Sequence, residues 1–182
     1  MLKFSDNPPI VSPSTSAVTD FAGRWWVAHT KARNEKAFAW DLVNRGIGYF
    51  LPLVERVTVS GGKKRRGMMP LFPSYVFFCG DDVARYNAMT TNRLCQTLEV
   101  VDQQGLVSDL SAIERVLAGK AELDLYPYAA TGRRCRITRG PFKDLEGVVI
   151  QRKTTARLVL EVAMLGQGAS LEIDADLLEP AD

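Results

Sequence analysis

The sequence has few of the residues from which metal sites, disulfide frameworks and active sites are built. Its 182 residues include three cysteines and one histidine. Cys79, Cys95 and Cys135 are far apart and contain no Cys-x-x-Cys pair, so neither a disulfide framework nor a zinc site is indicated. The single His29 leaves no nucleophile–base constellation, and no glycine-rich phosphate loop follows a predicted strand. We therefore expect a protein that is not an enzyme, holds no metal or cofactor, and works in a reducing, cytoplasmic setting.

The sequence also lacks long apolar runs and a strong excess of one charge. Nothing approaches the roughly 18 consecutive apolar residues of a membrane helix, so we expect no membrane segment. The net charge of +2 is weak evidence for any partner. The first twenty residues are rich in Ser, Thr and Pro, which predicts a disordered tail over 1–22 and not a signal peptide.

The stretch 70–78, PLFPSYVFF, is the most distinctive part of the chain. Two prolines forbid a helix, and the aromatic and β-branched residues that follow predict a strand. Alternation places Tyr75 and Phe77 on one face and Val76 and Phe78 on the other. Because both faces are apolar, two interpretations stay open. The strand is either central and covered by helices on both sides, or it presents an aromatic docking surface to a partner.

A basic hairpin is predicted just before this stretch. Extended residues over 49–59 lead into GGKKRRG at 61–67, and Pro70 begins the return. Four cations crowd the predicted tip: Lys63, Lys64, Arg65 and Arg66. The tip is either a solvated loop whose charges keep it soluble, or a finger that contacts backbone phosphates without distinguishing sequence.

The remaining patterns predict an α+β region followed by a small β-rich one. A strand at 24–29, a helix at 34–45, a short helix after Asp81 or Asp82, a strand at 95–101 and a helix at 108–117 complete a mostly antiparallel sheet flanked by helices. Ser108 and Ser111 compete as the cap of the last helix. After a linker at 124–130, short strands are expected at 134–137, 147–150, 158–162 and 170–173. Strands of this number and length fit a small SH3-like barrel.

Several of these features together resemble one protein family. RWWV at 24–27, the helix containing Glu35, the basic hairpin, and LFPSYVF at 71–77 resemble the NusG N-terminal domain. Gly132, RGPF at 139–142 and LEGVV at 145–149 resemble the KOW motif. The resemblance implies a NusG N-terminal domain over 23–123, the linker, and a KOW domain over 131–182. The chain resembles transcription elongation factors, including the specialised antiterminator branch typified by RfaH.

The resemblance implies binding to RNA polymerase. The N-terminal domain of such factors docks an apolar surface on the clamp helices of the β′ subunit and suppresses pausing or termination. Matching positions here are His29, Phe72, Tyr75 and Phe77, although His29 fits a satisfied strand histidine equally well. Contact with upstream or non-template DNA of the transcription bubble is implied for two groups of cations. One group is Lys31, Arg33 and Arg93, and the other is Lys63, Lys64, Arg65 and Arg66.

The resemblance also implies a second partner for the KOW domain, either the termination factor Rho or a small-subunit ribosomal protein. The recruiting loop matches Met164, Leu165, Gly166 and Gln167. Many housekeeping NusG proteins have Phe and Arg near Leu165 and Gln167, and Asp144 stands where the KOW pattern has a small residue. These departures disfavour Rho and favour a specialised paralogue, while Leu165 also fits an ordinary exposed loop residue. The alternative function is that of a KOW-containing RNA-binding or ribosome-associated protein.

Overall fold

The computed structural model describes residues 6–14, 16–126, 132–152 and 155–181. The chain divides into two compact units, Met1–Gln103 and Gln104–Asp182. Each unit is built on antiparallel sheets, which confirms the predicted α+β class. Among the described residues, no helix combines the length and the apolar character needed to cross a membrane.

The first unit contains a five-stranded antiparallel sheet with the order β1-β3-β6-β2-β7. A separate two-stranded ribbon is formed by β4 and β5. The strands and helices of this unit are β1 (Val11–Ser12), β2 (Arg24–Thr30), α1 (Glu35–Asn44), β3 (Gly48–Phe50), β4 (Leu53–Ser60), β5 (Lys63–Pro70), β6 (Tyr75–Gly80), α2 (Asp82–Met89) and β7 (Leu94–Glu99).

Strand β6 is the centre of this sheet, between β3 and β2. Val76, Phe77 and Phe78 are all fully buried, so both faces of the strand are covered. One face joins α1 in a core that includes Trp26, where Phe38 meets Phe78 edge to face at 6.2 Å between ring centroids. The interpretation of 70–78 as a turn that leads into a covered central strand is therefore confirmed over β6.

The N-terminal segment is ordered where the structure describes it, so the predicted disordered tail over 1–22 is wrong for residues 6–14 and 16–22. Strand β1 pairs with β3, with Val11 opposite Phe50. Val18 is fully buried. The Tyr49 hydroxyl donates to the Pro9 carbonyl at 2.8 Å. Ser, Thr and Pro made this segment resemble a tail, but a few apolar side chains and main-chain pairing hold it on the sheet edge.

The second unit is a six-stranded antiparallel sheet with the order β13-β9-β10-β11-β12-β8, together with most of one helix. Its size and all-antiparallel pairing are consistent with the predicted KOW domain. The elements are α3 (Gln103–Ala118), β8 (Asp124–Tyr126), β9 (Arg133–Ile137), β10 (Glu146–Arg152), β11 (Thr155–Val162), β12 (Gln167–Ile173) and β13 (Leu178–Pro180). The four strands predicted after residue 131 all lie within β9 to β12.

Two predictions about residues 103–130 need correction. The linker interpretation of 124–130 is wrong at its start, because Asp124–Tyr126 forms β8 and pairs with β12, while 127–130 lies outside the described residues. Helix α3 begins at Gln103, so Ser108 and Ser111 are interior residues and not caps. Most of α3 groups with the second unit, through contacts such as the Arg115 guanidinium donating to the Lys143 carbonyl at 2.7 Å. The predicted domain limits at 123 and 131 stay predictions.

Candidate functional site: an aromatic and basic sheet end

The candidate site begins with two stacked rings at one end of the central strands. His29 on β2 lies directly opposite Tyr75 on β6 in the antiparallel register. Their ring centroids are 5.2 Å apart, and the ring planes differ by 22°. Both residues are only partly buried. Paired residues on adjacent antiparallel strands point to the same face, so the register itself produces this half-exposed stack.

A buried carboxylate fixes the turn that delivers Tyr75 to this position. Glu35, in the first turn of α1, is 7% exposed and accepts a hydrogen bond from the Ser74 backbone N–H at 2.7 Å. Ser74 has a left-handed backbone with φ of 68°, and its carbonyl accepts from the Thr30 N–H at 2.8 Å. A non-glycine residue with positive φ needs such support, because the left-handed region is unfavourable for L-residues.

The other two predicted docking aromatics are buried. Phe72 is 1% exposed and Phe77 is fully buried. The two rings meet edge to face at 6.2 Å, and Phe77 also packs against Phe50 at 6.4 Å. The expectation of an exposed aromatic ledge is therefore wrong for Phe72 and Phe77. Alternation placed Phe77 on the face of Tyr75 but carried no information on what covers that face, and Phe72 lies in the turn before β6, where alternation does not apply.

Three of the predicted DNA-contacting cations lie at the same end of the sheet, where β2 ends and β7 begins. The Lys31 ammonium donates to the Asn92 carbonyl at 2.7 Å. The Arg93 guanidinium forms an ion pair with Asp41 at 3.0 Å. Arg33 is exposed and has a left-handed backbone with φ of 62°. Two of the three cations thus take part in contacts within the unit.

The hairpin formed by β4 and β5 also starts from this end of the sheet. At its base, next to the turn before β6, the Leu71 N–H donates to the Pro52 carbonyl at 2.8 Å. Its two-residue loop is Gly61-Gly62, with φ of 58° and 73°. Positive φ at both positions is the requirement of a type I′ turn, which glycine meets without steric cost. All four tip cations are exposed, which confirms the predicted hairpin with a basic tip: Lys63, Lys64, Arg65 and Arg66. The prediction that Pro70 begins the return is wrong, because the two-residue turn lets β5 begin at Lys63, and Pro70 is its last residue.

The predicted partner-recruiting loop belongs to the second unit. Residues Ala163–Leu165 form a short 3₁₀ helix that ends at Gly166, whose φ is 60°. Met164 and Leu165 are partly buried, and Gln167 begins β12. At the base of the loop, the Ala163 N–H donates to the Asp109 carboxylate of α3 at 3.0 Å.

Burial shifts the pKa values of several side chains in the first unit. Burial lowers the pKa of Lys36, whose ammonium donates to the Asn7 side chain at 2.6 Å. Burial raises the pKa of the Cys79 thiol to about 11, which makes it unreactive at neutral pH. Within the described parts of the chain, no three His, Cys, Asp or Glu residues are grouped to hold a metal ion.

Comparison with known families gives a match over most of the first unit and most of α3. A family model described as "Transcription termination factor nusG" matches residues 23–116, which is more than half of the 182 residues. The chain belongs to the NusG family. This is a family of transcription elongation factors, so the resemblance inferred from the sequence is confirmed. The match begins at β2 and includes α1, the hairpin and the turn before β6, which are the elements that build the sheet end described above.

Two solved structures show more distant similarity to this NusG-family chain. "Domain interaction in Thermotoga maritima NusG" is 19% identical with a TM-score of 0.46, covering 87% of this chain and 97% of that one. "Crystal Structure of MjSpt4:Spt5 complex conformation B" is 14% identical with a TM-score of 0.25, again covering 87% and 97%. The comparison with curated proteins gave no match. The family assignment rests on the match over 23–116.

Sequence reasoning missed the residues that support the NusG sheet end. Glu35 was noted only as part of a helix, because an acidic residue in a first helical turn normally suggests a cap. Ser74 gave no sign of its positive φ, since Asn or Asp would be the usual non-glycine choice there. The contact between Asp109 and Ala163 joins residues 54 positions apart and has no local sequence signal.

Proposed function

We propose that this NusG-family protein binds RNA polymerase through the sheet end of its first unit and suppresses pausing or termination during elongation. The observation that carries the proposal is the His29–Tyr75 stack, which is partly exposed and follows a turn whose Ser74 N–H is hydrogen-bonded to Glu35. A rigid aromatic pair supplies large contact area at small entropic cost, which is the property of an interface anchor. The proposed contact on the polymerase is the clamp-helix region of the β′ subunit.

The burial of Phe72 and Phe77 changes their proposed role. Phe77 lies two residues after Tyr75 on β6 and packs against Phe72 at 6.2 Å, so the two rings form an apolar floor next to the stack. They do not themselves supply exposed area in this structure. We therefore assign direct contact to His29 and Tyr75, and support to Phe72 and Phe77.

Contact with DNA of the transcription bubble is proposed for the cations around the same end of the sheet. Lys31, Arg33 and Arg93 flank the stack, and the basic hairpin projects from the neighbouring turn. Cations beside a protein-binding anchor would attract the DNA that enters or leaves the polymerase, with a contribution that falls as salt rises.

A second protein partner is proposed for the loop at Met164–Gln167. Half-buried Met164 and Leu165 on a short 3₁₀ turn present a small apolar tip, which supports recruitment of a protein. We favour a small-subunit ribosomal protein over Rho, because Leu165 and Gln167 replace the Phe and Arg of housekeeping relatives. Binding of purified Rho and of the ribosomal protein to wild type and Leu165→Ala distinguishes the two. Tight Rho binding that Leu165→Ala abolishes would reverse our preference.

The central test compares a double variant of the His29–Tyr75 stack with a control variant at an exposed tyrosine of the same unit. In the full chain, His29→Ala with Tyr75→Ala should weaken binding to core RNA polymerase by about 30-fold, the cost of removing an interface anchor worth roughly 2 kcal/mol. Tyr86→Ala is the control, since Tyr86 is 67% exposed on α2 and its loss should change affinity by no more than about twofold.

Two results would contradict the proposal. One is unchanged polymerase affinity in the His29 and Tyr75 double variant. The other is binding of the wild type to naked RNA, with a steep salt dependence and no polymerase binding, which would favour the RNA-binding alternative.

A further inference from the structure

The basic hairpin has two chemically different faces. In the antiparallel register, Thr58 lies opposite Arg65, and Val59 lies opposite Lys64. Because side chains alternate, Lys63 and Arg65 share one face with Thr58, while Lys64 and Arg66 share the other face with Val57 and Val59.

The face that carries Lys63 and Arg65 is purely polar and cationic in its outer half. Both cations are exposed, and the neighbouring Thr58 hydroxyl donates across the ribbon to the Arg65 carbonyl at 3.4 Å. Arg56 continues this face toward the base, where it lies opposite Gly67. No acidic residue lies on this face between positions 56 and 65.

The opposite face is mixed. Val57 is 55% exposed and Val59 is 67% exposed, so apolar surface separates the charges. Arg66 lies 3.7 Å from the Glu55 carboxylate, which partly neutralises it. The two faces therefore differ in net charge and in hydration, although each carries two of the four tip cations.

The shape and composition of the hairpin indicate the kind of polyanion it fits. From Glu55 to the turn, β4 extends for about 20 Å at roughly 3.4 Å per residue. A two-stranded ribbon of this kind fits the major groove of B-DNA. The major groove of A-form RNA is too deep and narrow to admit it. The ribbon from Leu53 to Pro70 contains no Phe, Tyr, Trp or His, so it lacks the rings on which single-stranded bases stack.

We propose that the hairpin binds the phosphate backbone of duplex DNA through the Lys63 and Arg65 face, and that the Lys64 and Arg66 face is turned away from it. The inference deepens the proposed DNA contact, on which it rests, by naming the form of the nucleic acid and the face of the ribbon. Lys63 and Arg65 are two residues apart on β5, about 7 Å, so each can pair with a different phosphate.

The test is a pair of charge-matched variants that differ only in the face they change. Lys63→Gln with Arg65→Gln and Lys64→Gln with Arg66→Gln each remove two positive charges from exposed positions. Binding of the full chain to a fluorescent duplex of about 30 base pairs, roughly three helical turns, is measured by anisotropy from about 50 to 200 mM salt. Single-stranded DNA and duplex RNA of equal length serve as competing probes.

The first variant should lower the slope of log K against log salt by about 1.8, since each phosphate contact contributes about 0.9, and should weaken binding about 60-fold near 0.1 M salt. The second should weaken binding less than about fivefold, through the screened field alone. Equal losses in both variants would overturn the face assignment. Equal or tighter binding to single strands or to RNA would overturn the choice of duplex DNA.

The outcome separates this inference from the proposed function. Wild type that binds none of the three probes at about 50 mM salt would overturn the hairpin–DNA contact itself. Polymerase docking would be unaffected by that result, because it is measured with the His29 and Tyr75 variant. Circular dichroism of both hairpin variants should match wild type, since all four substituted side chains are exposed.

Discussion

The role of Glu35 is the structural claim on which the candidate site most depends. Glu35→Ala removes the acceptor of the Ser74 N–H, which it holds at 2.7 Å. Ser74 has an unfavourable positive φ, so loss of the bond should release the turn before it disturbs the rest of the sheet. Tyr75 follows directly and would lose its fixed position opposite His29.

The magnitude follows from the kind of hydrogen bond and its burial. Glu35 is 7% exposed, and bonds to a charged group contribute about 1.5–3 kcal/mol, so we take about 2 kcal/mol for Glu35→Ala. That corresponds to roughly 30-fold faster exchange of the Ser74 amide hydrogen by local opening. Glu35→Gln keeps a neutral acceptor, so it should lose only about 1 kcal/mol, or about fivefold.

Hydrogen exchange measured by NMR is the direct assay, with polymerase affinity as the functional one. Glu55→Ala is the control, because Glu55 lies on the exposed hairpin and pairs with Arg66 only loosely, at 3.7 Å. Polymerase affinity should fall in Glu35→Ala although Glu35 is too buried to touch a partner. Unchanged protection of the Ser74 amide in Glu35→Ala would refute the reasoning, whatever happened to affinity.

Three further predictions follow from burial and charge. Phe72→Ala should destabilise the first unit by about 3–5 kcal/mol in urea unfolding, as expected for a fully buried ring, and a loss below about 1 kcal/mol would show the ring to be dispensable. Native protein should react rapidly with a thiol reagent at the exposed Cys95 but not at Cys79, whose pKa burial raises to about 11; rapid labelling of Cys79, located by mass spectrometry, would contradict this. Hydrogen bonds from Arg136 lower the pKa of Glu146, so wild type should melt above Glu146→Gln at neutral pH. The difference in melting temperature should shrink as pH falls below about 4.3, the pKa of Glu in the unfolded chain, and vanish below the lowered pKa of folded Glu146. A difference that does not change with pH would refute the linkage.

The parts of the fold set by local chemistry were predictable. Gly61-Gly62 between two extended runs determines the hairpin, because few other residues accept positive φ twice in succession. The prolines before Tyr75 place the start of β6, and the short strands after residue 131 are delimited by turn residues. In each case the information lies within about ten residues of the element it specifies.

The parts set by distant contacts were not predictable. Strand β1 exists because Val11 pairs with Phe50, which is far along the chain. β8 likewise exists because it adds to β12, and three residues such as Asp124–Tyr126 have no periodicity from which to predict a strand. The expectation that Phe72 and Phe77 are exposed failed for a related reason. Alternation separates the two faces of β6 without saying what covers them, and it does not reach Phe72 in the preceding turn.

The antiparallel register explains why aromatic and basic groups lie at one sheet end, and it also ranks the cations there. β2 ends where β6 begins, so His29, Tyr75 and the residues after Thr30 emerge together. Arg93 is held there by an ion pair with Asp41 at 3.0 Å, and that pair must weaken before its charge is fully available to DNA. The exposed hairpin cations carry less of this cost. A salt-dependent DNA contact should therefore depend on the hairpin first and on Arg93 least, although the sequence presents these cations as equivalent.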